Sequence, residues 1–406
     1  MLDAITTASA PPPYDDARGA EDAIVGALLR SVNAFCARHV DARGIDARAH
    51  VDRAVLDGLA EMGLFGLSIP ESHGGYELSL GAVGEVVAGL ARHDRAIATC
   101  VGLHLGLGTR GLVAFGTDAL KDAWLPALAV GASIAAFATT ESGAGSDLGA
   151  IRTRGVEDAG RLRLDGEKIF VTNGGIADVF TITAATPDLG GRRRGHSLVL
   201  LAREDGLVTG AEEHKLGLRG SSTTSLHLDG VVVGMDRILG TPGEGMGHLA
   251  HVLAWGRAVM AAGCRGTVRA ALDATVAHVV TRRQFGKALA SMDVVRAQLA
   301  SMQAHEYAMT ALVRHASAQR DPTALAVLSG SAKVFATEAT WEIVDRALQL
   351  HGGPGYIEET GIALLLRDSR VTRIFEGAND VLRVHRGLVE ATQPLPRVLV
   401  GRGASP

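Results

Sequence analysis

The hydrophobic period of the chain changes twice, and this order constrains the fold more than any other feature. Residues 21–131 place apolar side chains at three- and four-residue steps, which predicts α-helices. Residues 133–240 instead alternate, as in the segment 161–164 (Arg-Leu-Arg-Leu), which predicts β-strands. The helical period returns after Pro242. Helices, a β block and helices again predict an α+β chain of three units.

We divide the 406 residues accordingly. The predicted units are a loose N-terminal arm at 1–20, an N-terminal α-helical domain at 21–132, a middle antiparallel β domain at 133–242, a C-terminal four-helix-bundle domain at 243–395 and a tail at 396–406. Two or three domains are the usual expectation for a chain of this length.

Four local signals make this organisation testable. One apolar helix face should consist of Ile24, Leu28, Val32 and Phe35. Ser79 is predicted to cap a helix that begins at Leu80, and Asp118 is predicted to cap a helix that begins at Ala119. Asp165-Gly166 is predicted to be a turn between two strands.

Composition and charge exclude several classes of protein. A net charge of -4 leaves no electrostatic footprint for nucleic acid. The three cysteines lie far apart and form no disulfide framework, which is typical of a reducing cytoplasm.

Asp3 occupies the place of a basic leader region, so we expect no signal peptide. The uncharged stretch 123–140 contains Pro126, and we interpret it as a helix end, a turn and a buried strand. The sequence predicts a cytoplasmic protein without membrane or nucleic-acid partners.

Glycine is abundant, with 51 residues, and one glycine-rich segment fits a known fingerprint. Residues 106–111 read G-x-G-x-x-G, but a dinucleotide site requires a preceding strand, and the flanks here are helical. We therefore predict close helix packing at this segment. No histidines are spaced with a carboxylate as metal ligands, and no metal is expected.

Six other stretches combine glycine with hydroxyl, aromatic or charged residues. They are Phe137–Asp147, Phe170–Gly175, Glu213–Gly247, Arg282–Gly286, Gln349–Tyr356 and Arg373–Asp380. Glu376 follows two apolar residues and precedes Gly377. A carboxyl group in apolar surroundings could have a raised pKa and act as a base. A solvated loop carboxylate is the alternative for Glu376 taken alone.

In this order and spacing, the six stretches resemble the acyl-CoA dehydrogenase family over about residues 20–392. The segment Ile374–Arg383 is most similar to the long-chain members. The resemblance implies an FAD-dependent oxidoreductase that acts on CH–CH bonds. Such enzymes convert an acyl thioester, carried on CoA or on an acyl carrier protein, into the trans-2-enoyl thioester. A glutamate takes the α-proton, and the β-hydride goes to flavin N5.

By motif match the base is Glu376. Some relatives carry the base on a long helix just before an arginine, but that position here is Gly256, followed by Arg257. Arg257 is expected near the active site, and pairing with a buried acid is its alternative. The resemblance assigns substrate contacts to Ser146, Arg257 and Gly377. It assigns cofactor contacts to Phe137, Thr139, Thr140, Ser146, Phe170, Val171, Thr172, Arg282, Phe285, Asp293, Gln349, Gly352, Gly353, Ala378 and Asp380.

The resemblance also implies partners. Arg282 and Phe285 match residues that reach the FAD of a neighbouring subunit, so a homotetramer or homodimer is expected. An electron acceptor such as electron-transfer flavoprotein is expected as well. Two other functions stay open. One is a flavin-dependent monooxygenase or oxidase of the same fold, against which the presence of Glu376 argues. The other is a degenerate flavoprotein that serves as an assembly partner.

Overall fold

The computed structural model describes residues 19–392. The first region is helical, and a π-helical segment, His104–Gly108, joins its fifth and sixth helices. These helices are α1 Gly19–His39, α2 Ala42–Arg48, α3 Arg53–Glu61, α4 Leu80–Ala91, α5 Arg95–Leu103, α6 Arg110–Phe115 and α7 Asp118–Ala129. The last two residues of the expected arm at 1–20 begin α1, and the rest of that arm lies outside the described residues. The expected tail at 396–406 also lies outside them.

The middle region is one twisted sheet in the strand order β6-β7-β3-β2-β4-β5-β8, with β1 beside β4. Its strands are β1 Ala135–Ala138, β2 Arg154–Asp158, β3 Arg161–Thr172, β4 Val179–Ala185, β5 His196–Ala202, β6 Val208–Thr209, β7 Thr223–Gly234 and β8 Ile238–Leu239. The sheet is mixed rather than wholly antiparallel, because β4 runs parallel to β1 and to β2. All four residues of β1 are buried, as parallel strands usually are, and alternation in the sequence carries no information on strand direction.

The C-terminal region is a bundle of long helices. It consists of α8 Gly245–Thr281, a small hairpin of β9 Arg283–Gln284 and β10 Lys287–Ala288, then α9 Asp293–Ser317, α10 Pro322–His351, α11 Gly353–Tyr356, α12 Ile362–Arg370 and α13 Asn379–Thr392. With 37 residues, α8 is about 55 Å long. It packs against α10 in the bundle and against α4 of the first region, so it connects the two helical parts.

The helix and turn signals have mixed outcomes. The hydroxyl of Ser79 accepts a hydrogen bond from Ala82 N, which confirms the cap of α4. The prediction that Asp118 is a cap is wrong, because the Thr117 hydroxyl caps α7 and Asp118 is its first residue. An acidic side chain in the first turn still complements the helix dipole.

The turn predicted at Asp165-Gly166 is also wrong. Both residues lie inside β3, where the pairing with β7 shifts between Leu164 and Gly166. Gly166 has a φ of +149°, and a β-carbon there would lie 2.7 Å from the Thr153 α-carbon. Glycine therefore permits both the β-bulge and the close approach of β3 to the backbone of Thr153. The chain reverses instead between β2 and β3, at Ala159 and Gly160, which both have positive φ.

The apolar face of α1 is shifted by one residue at its start. Ile24 is 39% exposed, whereas Val25 is buried with Val32, and Phe35 is partly buried against the core. The expectation of helix packing at 106–111 agrees with the structure, because the α-carbon of Gly256 lies 3.4 Å from where a β-carbon on Gly106 would stand.

The uncharged stretch at 123–140 forms the end of α7, a turn and β1, as expected. Among the described residues, the helical stretch Arg95–Phe115 is long and apolar enough to cross a membrane by length and composition. In its apolar window, 72% of the residues are buried inside this fold.

Helices α4 and α8 cross at unusually close range. A β-carbon on Gly266 of α8 would overlap the carbonyl oxygen of Ala88 in α4, and a β-carbon on Gly84 would lie 2.9 Å from that of Ala262. Only small residues permit this separation, which brings the first helical region against the side of α8.

We predict that Gly266→Ala destabilises the protein by about 1–3 kcal/mol, because the added methyl group forces the two helices apart. The measurement is urea unfolding followed by circular dichroism. The matched control is Gly330→Ala in α10, where no atom lies within 4 Å of the added methyl group. That change should stabilise by up to about 1 kcal/mol. Equal effects of the two substitutions would contradict a packing role for Gly266.

Candidate active site

Glu376 lies in the short connection between α12 and α13, and its φ is +54°. This left-handed conformation is uncommon for a residue with a side chain and marks a locally constrained position. Its Oε2 is buried and has no hydrogen-bond partner among the described residues. Burial raises the pKa of Glu376 to about 7, while the positive charges of Lys333, Arg257 and Arg95 act in the opposite direction.

Two cations hold the backbone around this carboxyl group. Arg257 Nε donates to the Glu376 carbonyl oxygen at 2.9 Å. Lys333 Nζ donates to the Gly377 carbonyl oxygen and to Asn379 Oδ1, both at 2.7 Å. Burial lowers the pKa of Lys333 to about 8. The carboxyl group is therefore left free, while its backbone is tied to α8 and α10.

The side of α8 faces the carboxyl group at Gly256. A β-carbon there would lie 3.2 Å from Glu376 Oε2 and would overlap Leu107 of the π-helical segment. Gly256 is the position at which some relatives would carry the base. The two alternative positions for the base therefore lie beside the same space. Because glycine has no side chain, only Glu376 can act as a base there. A π-helical turn is frequent at functional sites.

The first two motifs meet at the end of β1. Thr139 and Thr140 follow β1, and Ile169 N donates to the Thr140 carbonyl oxygen at 2.9 Å. Phe170 is 61% exposed with a φ of +55°, so its ring lies on the surface of this edge, whereas Val171 is buried. An exposed aromatic side chain beside half-buried threonines forms a surface that an aromatic ring system could cover.

A buried ion pair supports this edge, and sequence reasoning missed it. Lys168 Nζ donates to Glu141 Oε1 at 2.7 Å and to the Thr139 carbonyl oxygen. Burial alone would raise the pKa of Glu141, but hydrogen bonds from Lys168, Thr153 and Arg152 outweigh it and hold that pKa below its ordinary value. Glu141 therefore fixes the loop after β1 against β3.

A second cluster forms at the far ends of α8 and α10. The rings of His278 and His351 stack with centroids 4.4 Å apart, so the neighbouring Arg282 and Gln349 belong to one surface. Phe285, in the hairpin after α8, is 92% exposed. Gly352 and Gly353 have no atom within 4 Å of an added β-carbon. Along α10, sixteen residues or about 24 Å separate Gln349 from Lys333 at Glu376.

The remaining assigned residues lie at the margins of these two clusters. Phe137 is buried in β1, and Ser146 is exposed in the loop that follows it. Ala378 lies between Gly377 and the buried Asn379. Two acids point to solvent and pair locally: Asp293, 91% exposed, with Arg296, and Asp380, 95% exposed, with Arg383. Within residues 19–392 no group of three or more His, Cys, Asp or Glu is arranged to hold a metal ion.

Each of the three regions of the chain matches a known family model. Residues 26–132 match the acyl-CoA dehydrogenase N-terminal domain, residues 136–231 match the middle domain and residues 243–387 match the C-terminal domain. The chain belongs to the acyl-CoA dehydrogenase family. Members of this family are FAD-dependent oxidoreductases that act on CH–CH bonds.

Named relatives are similar over most of the chain. The human very long-chain specific mitochondrial acyl-CoA dehydrogenase is 35% identical over 366 residues, which are 88% of this chain and 56% of that protein. The chain thus spans little more than half of that relative's length. The probable acyl-CoA dehydrogenase FadE25 of Mycobacterium tuberculosis is 35% identical over 344 residues, which are 84% of this chain and 88% of that protein. An acyl-CoA dehydrogenase of Bacillus anthracis, solved with FAD, is 28% identical, with a TM-score of 0.83 over 91% of this chain and 67% of that one.

The residues present fit FAD as the family requires. The exposed Phe170 ring and the threonines after β1 suit a flavin ring, and the nearby Gly143 and Gly145 leave open space because no atom lies within 4 Å of an added β-carbon. The Oε2 of Glu376 is a buried polar atom without a partner among the described residues, which is typical of an atom that meets a bound ligand.

Sequence reasoning did not identify Lys333 or Arg95 at this site. Both are buried cations within otherwise helical patterns, at 0% and 5% exposure. Helical spacing could have identified them, because it places both residues on the buried face of a helix. Charged side chains are almost never fully buried unless they are paired, so such a position indicates a special role.

We predict that the Glu376 carboxyl group titrates near pH 7 and that Lys333→Met moves this midpoint upward. The positive charge of Lys333 favours the carboxylate, so its removal leaves burial less opposed. The measurement is difference infrared spectroscopy of the protonated carboxyl band, assigned by its absence from Glu376→Gln. The control is Lys287→Met in the exposed hairpin, which should leave the midpoint unchanged. A downward or absent shift in Lys333→Met would contradict the coupling.

Proposed function

We propose that the protein binds FAD and oxidises the Cα–Cβ bond of an acyl thioester, with Glu376 as the base that removes the α-proton. The observation that carries this proposal is the Glu376 carboxyl group, whose Oε2 is buried without a hydrogen-bond partner among the described residues and whose pKa burial raises to about 7. A general base works best when its pKa lies near the working pH, because it is then largely ionised and still basic. A solvated loop carboxylate would not have this pKa.

The residues of the site have different proposed roles in proton removal, positioning and substrate binding. Glu376 accepts the α-proton at its free Oε2, while Arg257 and Lys333 keep the backbone of residues 376–379 in place. By resemblance to the family, the backbone N–H of Glu376 would donate to the thioester oxygen, where negative charge develops as the proton leaves. Bound FAD supplies the acceptor for the hydride from Cβ. Ser146, Arg257 and Gly377 are the proposed substrate contacts.

The two separated clusters support a shared cofactor site. Thr139, Thr140, Phe170, Val171 and Thr172 lie at the edge of the sheet. A second set of proposed cofactor contacts lies at the other end of the bundle: Arg282, Phe285, Asp293, Gln349, Gly352 and Gly353. About 24 Å along α10 separates that set from Glu376. We therefore propose that the second cluster contacts the FAD of a neighbouring copy in a homotetramer or homodimer.

Three finer assignments remain predictions. The acyl group is carried on CoA or on an acyl carrier protein, the electrons pass to an acceptor such as electron-transfer flavoprotein, and the protein works in the cytoplasm. The presence of Glu376 argues against the alternative of a flavin-dependent monooxygenase or oxidase, because relatives of that kind often lack the glutamate. A catalytically degenerate assembly partner would have no need for a base with its pKa at about 7.

We predict that Glu376→Gln retains FAD and its absorption spectrum but loses at least about 1,000-fold of the rate at which an acyl thioester bleaches the flavin. An amide fills the same volume and cannot accept the α-proton. The measurement is anaerobic stopped-flow absorbance. The control is Glu342→Gln, whose exposed carboxylate lies beside His305 on the surface of the bundle. Unchanged bleaching in Glu376→Gln would move the base elsewhere.

We predict that Arg282→Ala lowers the FAD content of the purified protein at least about tenfold at limiting FAD, because a charge-assisted contact to the pyrophosphate is lost. The measurement is the flavin-to-protein absorbance ratio after dialysis. The control is Arg269→Ala in α8, the helix that ends just before Arg282, because the Arg269 guanidinium pairs with Asp273. Equal FAD retention in the two variants would exclude Arg282 from the cofactor site.

A further inference from the structure

A pocket that the proposed function does not use lies between the β4–β5 connection and the start of α8, with a volume of about 660 Å³. Arg192, Arg194 and His196 line it from the connection, and Met246 and His248 line it from α8. Burial lowers the pKa of both histidines, so neither imidazole adds positive charge near neutral pH. None of the residues assigned to FAD, to the substrate or to proton transfer belongs to this lining. The pocket is therefore a candidate for a part of the substrate that lies away from the reacting carbon atoms.

The positive charge beside this pocket is only partly neutralised within the chain. The connection 186–195 contains three consecutive arginines and one acid, Asp188. Arg192 donates a hydrogen bond to the Glu244 carboxylate at 2.5 Å. Arg193 and Arg194 are exposed and form no ion pair among residues 19–392. Two guanidinium groups are therefore available to an external anion.

A fourth arginine extends this positive surface across the neighbouring strands. The Thr153 carbonyl oxygen accepts a hydrogen bond from Ala185 N at 2.7 Å, and Ala185 pairs with His196 of the pocket lining. Arg152, the residue before Thr153, is exposed and forms no ion pair in the described part of the chain. The chain as a whole has a net charge of -4, so this local excess of positive charge is not a general property of its surface. We define the arginine surface as Arg152, Arg192, Arg193 and Arg194.

A stripe of α8 runs from the pocket towards Glu376. Its residues are Met246, Ala250, Leu253 and Arg257, and steps of four, three and four residues place them on one side of the helix. Met246 and Ala250 are exposed, and Arg257 is half-buried where its Nε donates to the Glu376 carbonyl oxygen. From Met246 to Arg257 the helix rises by about 16 Å, since each residue contributes about 1.5 Å.

A phosphopantetheine arm has the length that this interval requires. In the acyl thioesters of CoA and of acyl carrier proteins, about thirteen bonds join the phosphorus atom to the sulfur atom, and an extended chain advances about 3.5 Å for every three bonds. The arm therefore reaches about 15 Å. With the thioester at Glu376, its phosphate group would lie in the pocket beside Arg194.

We propose that an acyl carrier protein with an acidic surface docks on the arginine surface and delivers the acyl group to Glu376. This inference rests on the proposed function and decides between the two carriers that it leaves open. Arg193 does not line the pocket, and Arg152 belongs to the strand connection beyond it. A nucleotide bound in the pocket would leave both of these arginines without an anion. A protein that covers the pocket would contact all four, and complementary charges would guide its association.

The charge inside the pocket also favours an arm that is bound to a protein. The Glu244 carboxylate lines the pocket and binds Arg192, which leaves Arg194 as the available guanidinium group of the lining. The arm of a carrier protein has one phosphodiester with a single negative charge, which one guanidinium group can match. CoA instead carries a diphosphate and a 3′-phosphate, and it would place several negative charges beside Glu244. Like charges at such close range repel each other.

The decisive experiment presents the same acyl group to the FAD-bound protein on three donors: a holo acyl carrier protein, CoA and pantetheine. Butanoyl, octanoyl and hexadecanoyl groups are each compared in this way. The measurement is the apparent second-order rate constant of anaerobic flavin bleaching. For the acyl group that reacts fastest, the carrier-protein thioester should exceed the CoA thioester at least about tenfold, because docking is steered by charge. Its rate constant should fall at least about fivefold between 0.02 and 0.5 M NaCl, whereas that of the uncharged pantetheine thioester should not.

Arg193→Glu tests the surface without altering the lining of the pocket. This variant should lower the rate constant of the carrier-protein thioester at least about fivefold, and it should leave that of the pantetheine thioester unchanged, since pantetheine brings no docking protein. Arg193→Lys keeps the charge and should retain most of the wild-type rate. The matched control is Arg320→Glu in the turn between α9 and α10, an exposed arginine that forms no ion pair among the described residues. That variant should behave as the wild type does with all three donors.

The binding of the unacylated holo carrier protein, followed by fluorescence anisotropy, separates failure of this proposal from failure of the proposed function. Equal rate constants for the carrier-protein and CoA thioesters, or a preference for CoA, overturn the proposal. Equal effects of Arg193→Glu and Arg320→Glu overturn it too. Where no donor bleaches the flavin, binding that Arg193→Glu weakens supports the docking surface and contradicts the proposed dehydrogenation. Absence of binding in that case overturns the docking surface.

Discussion

The close approach of α8 to the helices of the first region is the constraint on which the site depends. Gly84, Gly256, Gly263 and Gly266 lie along this contact, and a β-carbon at each would come within 3.2 Å of a neighbouring atom. These glycines do more than permit packing. At Gly256 the missing side chain leaves space beside the Glu376 carboxyl group, and at Gly263 it leaves space for a guanidinium group. One helix face thereby presents two functional groups from other parts of the chain.

Burial and nearby charges then determine the pKa of the Glu376 carboxyl group at that face. Burial opposes ionisation of Glu376, and three cations favour it, with the net result that its pKa lies at about 7. Among residues 19–392, Glu376 forms no direct salt bridge, since Arg257 and Lys333 bind backbone carbonyl oxygens of residues 376 and 377. A direct ion pair would stabilise the carboxylate more strongly and would leave a weaker base. Binding the backbone instead fixes the position of the carboxyl group while sparing its basicity.

Much of this fold is visible in the sequence because it depends on local patterns. The change from helical to alternating period marks the three regions, and Ser79 marks the start of α4. Strand direction and the bulge at Gly166 were missed because they depend on pairing between distant strands. The same reason applies at the site. The apolar neighbours of Glu376 drew attention to it, and the resemblance to the family assigned it as the base. Lys333, however, reaches Gly377 across 44 residues of sequence, and no local signal predicts that contact.

Arg95 illustrates where sequence patterns end and structure begins to discriminate. In the sequence it is one arginine of an arginine-rich segment at the start of a helix, where a surface position is the ordinary expectation. In the structure its charge is enclosed, it has no acid partner among the described residues, and it shares a helix face with the proposed base. The Asp94 carboxylate beside it caps α5 by accepting a hydrogen bond from Ile97 N, and it forms no ion pair with Arg95.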